Sequence, residues 1–353
     1  MPKRLIFSDL HFGDPSCSLY EETVADGLRD FVRGLEPVDE LILAGDVLDG
    51  NISSLTMAIW GRKGTEPWPE QIGFQGWLDH LFADDAFKVD RIVYIPGNHD
   101  YIIWNILSTE KAFVEPISNG EIPVDLPLME AVFFRPFIRG VAPVKLRDRF
   151  VVVYPDYRFA LNGREALVTH GHYLDDKQTL FKNLDELVRQ ENGDTSKAVR
   201  DFFIRTAQYQ AVASAVSYVK STRGLVDKIH KGISNICDIC GSARNQPIDE
   251  EMLNAIDMYL YYFRHQSPDV FLFGHTHQAG HVNTLDYDSK KDKWLLGRAV
   301  DVWNDGTFLT PPSSDRAGTF ILTDDGAGVG REVLLYEVDI DGAVTEKGGN
   351  RHE

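Results

Sequence analysis

Cysteine is nearly absent from this chain: three of 353 residues, Cys17, Cys237 and Cys240. That number argues against a disulfide-stapled secreted fold and suits a reducing compartment. Cys237-Asp238-Ile239-Cys240 has the spacing of half a zinc or redox site, but no second pair exists, and a helix-end turn is the simpler reading. No apolar run approaches the ~20 residues that a membrane-spanning helix needs. The opening Met1-Pro2-Lys3-Arg4-Leu5-Ile6-Phe7 has too few apolar residues for a signal peptide, so the expectation is a cytoplasmic protein with peripheral membrane contact at most. Positive charge is also scarce. Thirty-six basic against fifty-four acidic side chains leave a net charge of −18, a field that repels nucleic acid and anionic membrane surfaces. An anionic substrate must then be captured by a local positive centre, and metal ions would provide one. Internal repeats and low-complexity segments are missing too.

What is present is a strand–helix–strand rhythm whose strands all end the same way. Residues 4–8 form an apolar run ending at Asp9, and residues 21–35 place Val24, Leu28, Phe31, Val32 and Leu35 on one helical face. The run 41–44 stops at Gly45-Asp46, and the run 92–95 stops at Pro96-Gly97-Asn98-His99-Asp100. Residues 149–161, then Asn162-Gly163, then 164–169 read as a hairpin, because Asn-Gly supplies the positive φ angles of a tight turn. Its second strand ends at His170-Gly171-His172. Asp249 is placed to cap a helix carrying Met252, Leu253, Ile256, Tyr259 and Leu260, with Ile248 and Leu253 as a hydrophobic staple. The strand 270–273 ends at Gly274-His275-Thr276-His277, and residues from about 282 to 338 read as short strands that close the domain. Alternation of this kind predicts a mainly parallel sheet, in which ligands gather at the carboxyl ends of the strands.

In order, the strand-end clusters are Asp9-Leu10-His11, Gly45-Asp46-Val47-Leu48-Asp49, Gly97-Asn98-His99-Asp100, His170-Gly171-His172 and Gly274-His275-Thr276-His277. Each alone recurs by chance; all five, in order and each after an apolar run, do not. Together they resemble the calcineurin-like metallophosphoesterase family, whose blocks are D-x-H, G-D-x-x-D, G-N-H-D/E, a lone His and G-H-x-H. The resemblance implies a four-layer α-β-β-α sandwich, here one domain over residues 1–353 with a helical insertion or lid over residues 177–265. It implies two divalent transition-metal ions, Mn²⁺ first with Fe or Zn²⁺ as alternatives, which suit mixed carboxylate, imidazole and amide-oxygen ligands. By the same resemblance Asp9, His11 and His277 hold the first ion, Asn98, His170 and His275 the second, and Asp46 bridges both. His99 then protonates the leaving oxygen, with Asp49 orienting it, while an activated hydroxide attacks phosphorus. Gly45, Gly97 and Gly274 fit places where the backbone turns close to the ions.

The substrate is less legible. Asp49 is followed by Gly50 and His99 by Asp100, a departure from the protein serine/threonine phosphatase branch, whose blocks are G-D-x-V-D-R-G and G-N-H-E. Ser8-Asp9-Leu10-His11 and His170-Gly171-His172-Tyr173-Leu174-Asp175-Asp176 are more similar to the UDP-2,3-diacylglucosamine diphosphatases, which carry a helical lid in the corresponding place. The expected partner is therefore a phosphorylated small molecule or a lipid-linked substrate, not nucleic acid. Asn98, His172 and Arg223 are the candidate substrate contacts; for His172 the alternative, and the favoured reading, is a position behind the ligands or at the surface, and for Arg223 it is a solvated helix face. The competing functions are a nuclease or cyclic-nucleotide phosphodiesterase, and a catalytically idle protein-binding scaffold, against which the full ligand set argues.

Overall fold

In the structure, a computed structural model, the residues described are 1–35, 37–50, 53–62, 71–83, 89–122, 131–133, 140–174, 247–264, 266–284, 299–310, 314–327 and 331–349. Most of the insertion expected at 177–265, with Arg223, Cys237 and Cys240, lies outside them.

Along the chain the strands are β1 (Lys3–Phe7), β2 (Glu40–Leu43), β3 (Gly61–Arg62), β4 (Gln71–Ile72), β5 (Arg91–Tyr94), β6 (Ala131–Phe133), β7 (Phe150–Tyr154) and β8 (Asp156–Leu161). There follow β9 (Arg164–Thr169), β10 (Val270–Phe273), β11 (Gly280–Asn283), β12 (Asp301–Asn304), β13 (Arg316–Asp324), β14 (Val333–Asp339) and β15 (Val344–Gly349). An eight-stranded sheet runs β15-β14-β13-β1-β2-β5-β7-β6, and a five-stranded sheet runs β11-β12-β10-β9-β8. Strands β1, β2, β5 and β7 are mutually parallel, as are β9, β10 and β12. Both faces of these parallel strands are covered, which is why they read as continuous apolar runs rather than alternating ones.

Side-chain alternation sorts each run into two layers. Ile6, Ile42, Val93, Val151 and Val153 point from the larger sheet toward Phe159, Leu161, Val168, Leu272 and Trp303 of the smaller one, and form the core between the sheets. Phe7, Leu41, Leu43 and Tyr94 point the other way. They join Val24, Leu28 and Val32 of the helix Glu22–Gly34 and Phe74, Trp77 and Leu78 of the helix Phe74–Leu81. On the far side of the smaller sheet the helix Glu250–Tyr259 supplies Met252, Leu253, Ile256 and Tyr259, and Tyr259 lies 6.5 Å from Phe271 by ring centroids. Its cap is as expected: Asp249 accepts from the Met252 amide at 2.8 Å. Helices, sheet, sheet and helix make the four layers.

One expectation is corrected. Residues 149–161 are not one strand of a hairpin: the run divides at Pro155, with β7 in the larger sheet and β8 in the smaller. Proline has no N–H to donate to a ladder, so the chain changes sheet there, and the hairpin is β8–β9 alone.

Away from the strand ends that carry the polar clusters, the layers are tied by ions. Arg164 of β9 bonds Asp301 of β12 and reaches Glu332, next to β14, at 2.6 Å. Both carboxylates are buried. Burial pushes the Asp301 carboxyl up, but hydrogen bonds from His281 and Arg164 outweigh it and hold it at about 2. Its stabilising share is therefore present above the unfolded value of 3.8 and lost as pH falls through 2. Arg164→Met is expected to cost about 3 kcal/mol at neutral pH, the low end for breaking a buried pair because the guanidinium reaches solvent. Urea melts at pH 7 and pH 3 check this: the deficit should shrink at the lower pH.

Candidate metal centre

Every parallel strand but β7 delivers its polar cluster to one end of the sandwich. Asp9 and His11 follow β1, Asp46 and Asp49 follow β2, and Asn98 and His99 follow β5; His170 follows β9, and His275 and His277 follow β10. The turns are sharp. Six non-glycine residues in the described part of the chain have positive φ, and five of them are Asp9, His11, Asp46, His275 and His277. Each such residue costs on the order of 1 kcal/mol or more, so strain is concentrated where these side chains converge. The neighbouring glycines are needed for space. A Cβ on Gly45 would sit 2.4 Å from the His170 ring, and one on Gly97 would sit 2.2 Å from Asp46 Oδ1.

The side chains meet in linked groups. Ligand atoms of Asp9, His11 and His277 lie within 4.8 Å of one another; so do those of Asp46, His170 and His275, and those of His11, Asp46 and His99. His277 Nε2 is 3.0 Å from Asp9 Oδ1 and 3.4 Å from His11 Nε2. Asp46 Oδ2 is 3.2 Å from His170 Nε2 and 4.0 Å from the Nε2 atoms of both His11 and His99. Asn98 Oδ1 lies 3.1 Å from His170 Nε2, which places the amide in the second group.

These residues fit divalent ions. Asp9 Oδ1 is buried and has no hydrogen-bond donor. Two imidazole nitrogens 3.4 Å apart, both turned toward that oxygen, match the roughly 3.4 Å edge of a tetrahedron whose metal–nitrogen bonds are about 2.1 Å. Both ligating rings with a described Nδ1 partner are oriented by it: His11 donates to Asp49 at 3.0 Å and His170 to the Ala44 carbonyl at 3.0 Å, leaving each Nε2 toward the group. The one described cysteine, Cys17, is buried, forms no disulfide and belongs to none of these groups.

Without ions, the charges hold one another. Burial raises the Asp9 carboxyl, but His277 and His11 more than reverse this, and it stays well below the carboxylate range. Asp46 is held down likewise by His170 and His99 against its burial. Conversely, burial lowers His11 and His170, yet Asp49 and Asp9 raise the first to about 10 and Asp46 raises the second to about 9.

Asp49 does more than the sequence implied. Its Oδ2 accepts from His99 Nδ1 at 2.9 Å and from His11 Nδ1 at 3.0 Å, so one carboxylate aligns both rings. His99 is 19% exposed and His277 26%, whereas His11, Asp46, Asp49 and His170 are buried; the centre opens along His99 and His277. His172 takes the place behind the ligands rather than the substrate-contact one. It is fully buried behind His170, between Tyr154 and Tyr173, so it backs the centre rather than facing a substrate.

Some residues of the site carry no metal-ligand signature. Asp100 is buried; its carboxylate accepts from Gly97 N, from Val47 N at 3.0 Å and from Tyr94 Oη, locking the Asn98 turn to the Asp46 turn. Burial and the Asp46 charge raise it to about 6. Ser8, Asn304, Asp305 and Thr307 also border Asp9 and Gly274. In the sequence Asn304-Asp305-Gly306-Thr307 follows Val300-Asp301-Val302-Trp303, a run that Asp301 interrupts, so its signal is weaker than that of the other five clusters.

The sequence model of the calcineurin-like phosphoesterase family matches residues 2–279. Among curated proteins no match is found. Two solved structures are similar. One is a conserved uncharacterized protein, a predicted phosphoesterase, from Streptococcus pneumoniae TIGR4, with 13% identity, 99% of this chain and 97% of that one covered, and a TM-score of 0.30. The other is a metallophosphoesterase from Sphaerobacter thermophilus, with 12% identity, coverage of 96% and 88%, and a TM-score of 0.30. The family match spans the greater part of the chain and all five ligand-bearing turns, and on it this chain belongs to the calcineurin-like phosphoesterases, hydrolases that act on phosphoester bonds.

Proposed function

We propose that the chain hydrolyses a phosphoester or pyrophosphate bond at two divalent ions held by Asp9, His11 and His277 on one side and Asn98, His170 and His275 on the other, with Asp46 common to both. The observation that carries this is the pair of ligand groups, Asp9/His11/His277 and Asp46/His170/His275, on adjacent turns and buried except at His277. When bound, such ions supply Lewis acidity toward the phosphoryl oxygens and a nucleophile at neutral pH. The remaining steps belong to side chains. His99 stands at the open edge with its Nδ1 bonded to Asp49 and its Nε2 4.0 Å from Asp46 Oδ2, and to that ring we assign the proton that the departing oxygen takes. Asp49 aligns that ring. Asn98 would complete the ion position it shares with His170 and His275, and is the candidate contact to the phosphoryl group.

Mn²⁺ is the first ion to test, with Fe and Zn²⁺ as alternatives. The substrate class we propose is a nucleotide diphosphate linked to an acylated group, in line with the Ser8-Asp9-Leu10-His11 and His170-Gly171-His172 blocks. Support comes from the helix Tyr101–Thr109, which begins directly after Asp100 and exposes Ile102 and Ile106, with Phe113, Val114 and Ile117 exposed just beyond it. That apolar surface begins on the helix that follows the Asn98–Asp100 turn and suits acyl chains.

Asp46→Ala is expected to lose metal, while His99→Ala keeps both ions and turns over ~10²- to 10⁴-fold more slowly. The His99 loss should be smallest with nitrophenolate as leaving group; an equal loss on good and poor leaving groups contradicts the acid role.

Metal uptake should also release protons. In the metal-free chain His11 and His170 hold protons up to about 10 and about 9, and an ion needs the bare nitrogen. Mn²⁺ titrations at pH 7 in buffers of different ionisation enthalpy should therefore show release of roughly two protons per chain, with affinity rising toward pH 9. Affinity that is flat from pH 6 to 9 contradicts this.

A further inference from the structure

The family match ends at residue 279, yet β12 brings a sixth polar cluster, Asn304-Asp305-Gly306-Thr307, to the same end of the sandwich. It lies parallel to β10 with Asn304 beside Phe273, so the turn after it leaves the sheet next to residues 274–277. There it completes the hydrogen bonding of Asp9. Thr307 Oγ1 and the Phe308 amide both donate to the Asp9 carbonyl at 3.1 Å. Asp305 Oδ1 lies 2.6 Å from Ser8 Oγ, and the same hydroxyl bonds Asp9 Oδ2, which also accepts from the His275 amide at 2.8 Å. Every acceptor of Asp9 is thus engaged except Oδ1, the buried oxygen without a donor that faces His277 and His11. Asn304 differs from its neighbours in reach. Its Nδ2 donates to the Gly274 carbonyl at 2.8 Å and to Thr276 Oγ1 at 2.9 Å, on the turn that carries both His275 and His277.

We infer that residues 304–307 form a positioning block for the metal centre, in which Asp305, acting through Ser8, and Thr307 fix Asp9 with Oδ1 toward one of the two ions. The inference rests on the two-ion reading above. Because, among the described residues, the hydrogen bonds of the Asp305 and Ser8 side chains lead to Asp9 and to none of the other proposed ligands, their loss should weaken one ion position and spare the one built on Asp46, His170 and His275.

The test is Co²⁺ titration of the metal-free full chain, followed by visible absorption and elemental analysis, for wild type, Ser8→Ala, Asp305→Leu and Asp305→Asn. Wild type should take up two ions. Ser8→Ala and Asp305→Leu should keep one at wild-type affinity and bind the second at least tenfold more weakly. Asp305→Asn, whose amide can donate to Ser8 Oγ and so leave the hydroxyl proton to Asp9 Oδ2, should restore the second. Where Asp305→Leu fails to fold by circular dichroism, Ser8→Ala decides, since it removes one hydroxyl and little volume. Wild-type affinity for both ions in Ser8→Ala, or equal weakening of both positions, overturns the inference while leaving the two-ion reading intact. A folded wild type that binds fewer than two ions overturns that reading and the inference with it.

Discussion

The structure turns on one carboxylate. Asp46 is buried, in a left-handed backbone conformation, with Oδ1 accepting from the His99 amide at 2.8 Å and Oδ2 facing the rings of His170, His11 and His99. A carboxylate withdrawn from water costs several kcal/mol unless positive charge is supplied close by. In the metal-free chain protonated imidazoles supply it; in a loaded centre, ions would. Either way the charge has to arrive from both sheets, because His11 and His99 stand on turns of the larger and His170 on a turn of the smaller.

That requirement explains the architecture around it. Parallel strands all present their carboxyl ends on one side, so two parallel sections stacked face to face bring five turns to one place without long connections. The apolar layer between the sheets sets their separation, and the Arg164 ion pairs hold them away from the site, where no chemistry competes. Strain in the turns is tolerated because the core on both sides over-determines the backbone. Gly45 and Gly97 give way exactly where a side chain would displace His170 or Asp46.

Much of this could be read from the sequence, for a physical reason. An apolar run buried on both faces has one signature, and a metal-binding turn has another, so their repeated succession at Asp9, Asp46, Asn98, His170 and His275 marked both the sheets and the centre. The capping of the helix Glu250–Tyr259 by Asp249 was equally local and equally visible. What stayed hidden depends on contacts between distant parts of the chain. Within residues 149–161, Pro155-Asp156 marks a break in the apolar run, but nothing local says that the two halves join different sheets. Burial of His172 follows from Tyr154 and Tyr173 closing over it, and a Gly-His pair beside a ligand looks the same whether it faces in or out. Likewise Asp49 serving both His11 and His99, and Asp305 reaching Ser8 across 297 residues, exist only once the sheets are stacked.

The shared role of Asp46 is most directly tested by anomalous diffraction from crystals soaked in Mn²⁺. The account predicts two peaks about 3.5 to 4 Å apart, one on each side of the Asp46 carboxylate, with His277 beside one and His275 beside the other. A single peak, or two peaks neither of which touches Asp46, would contradict it.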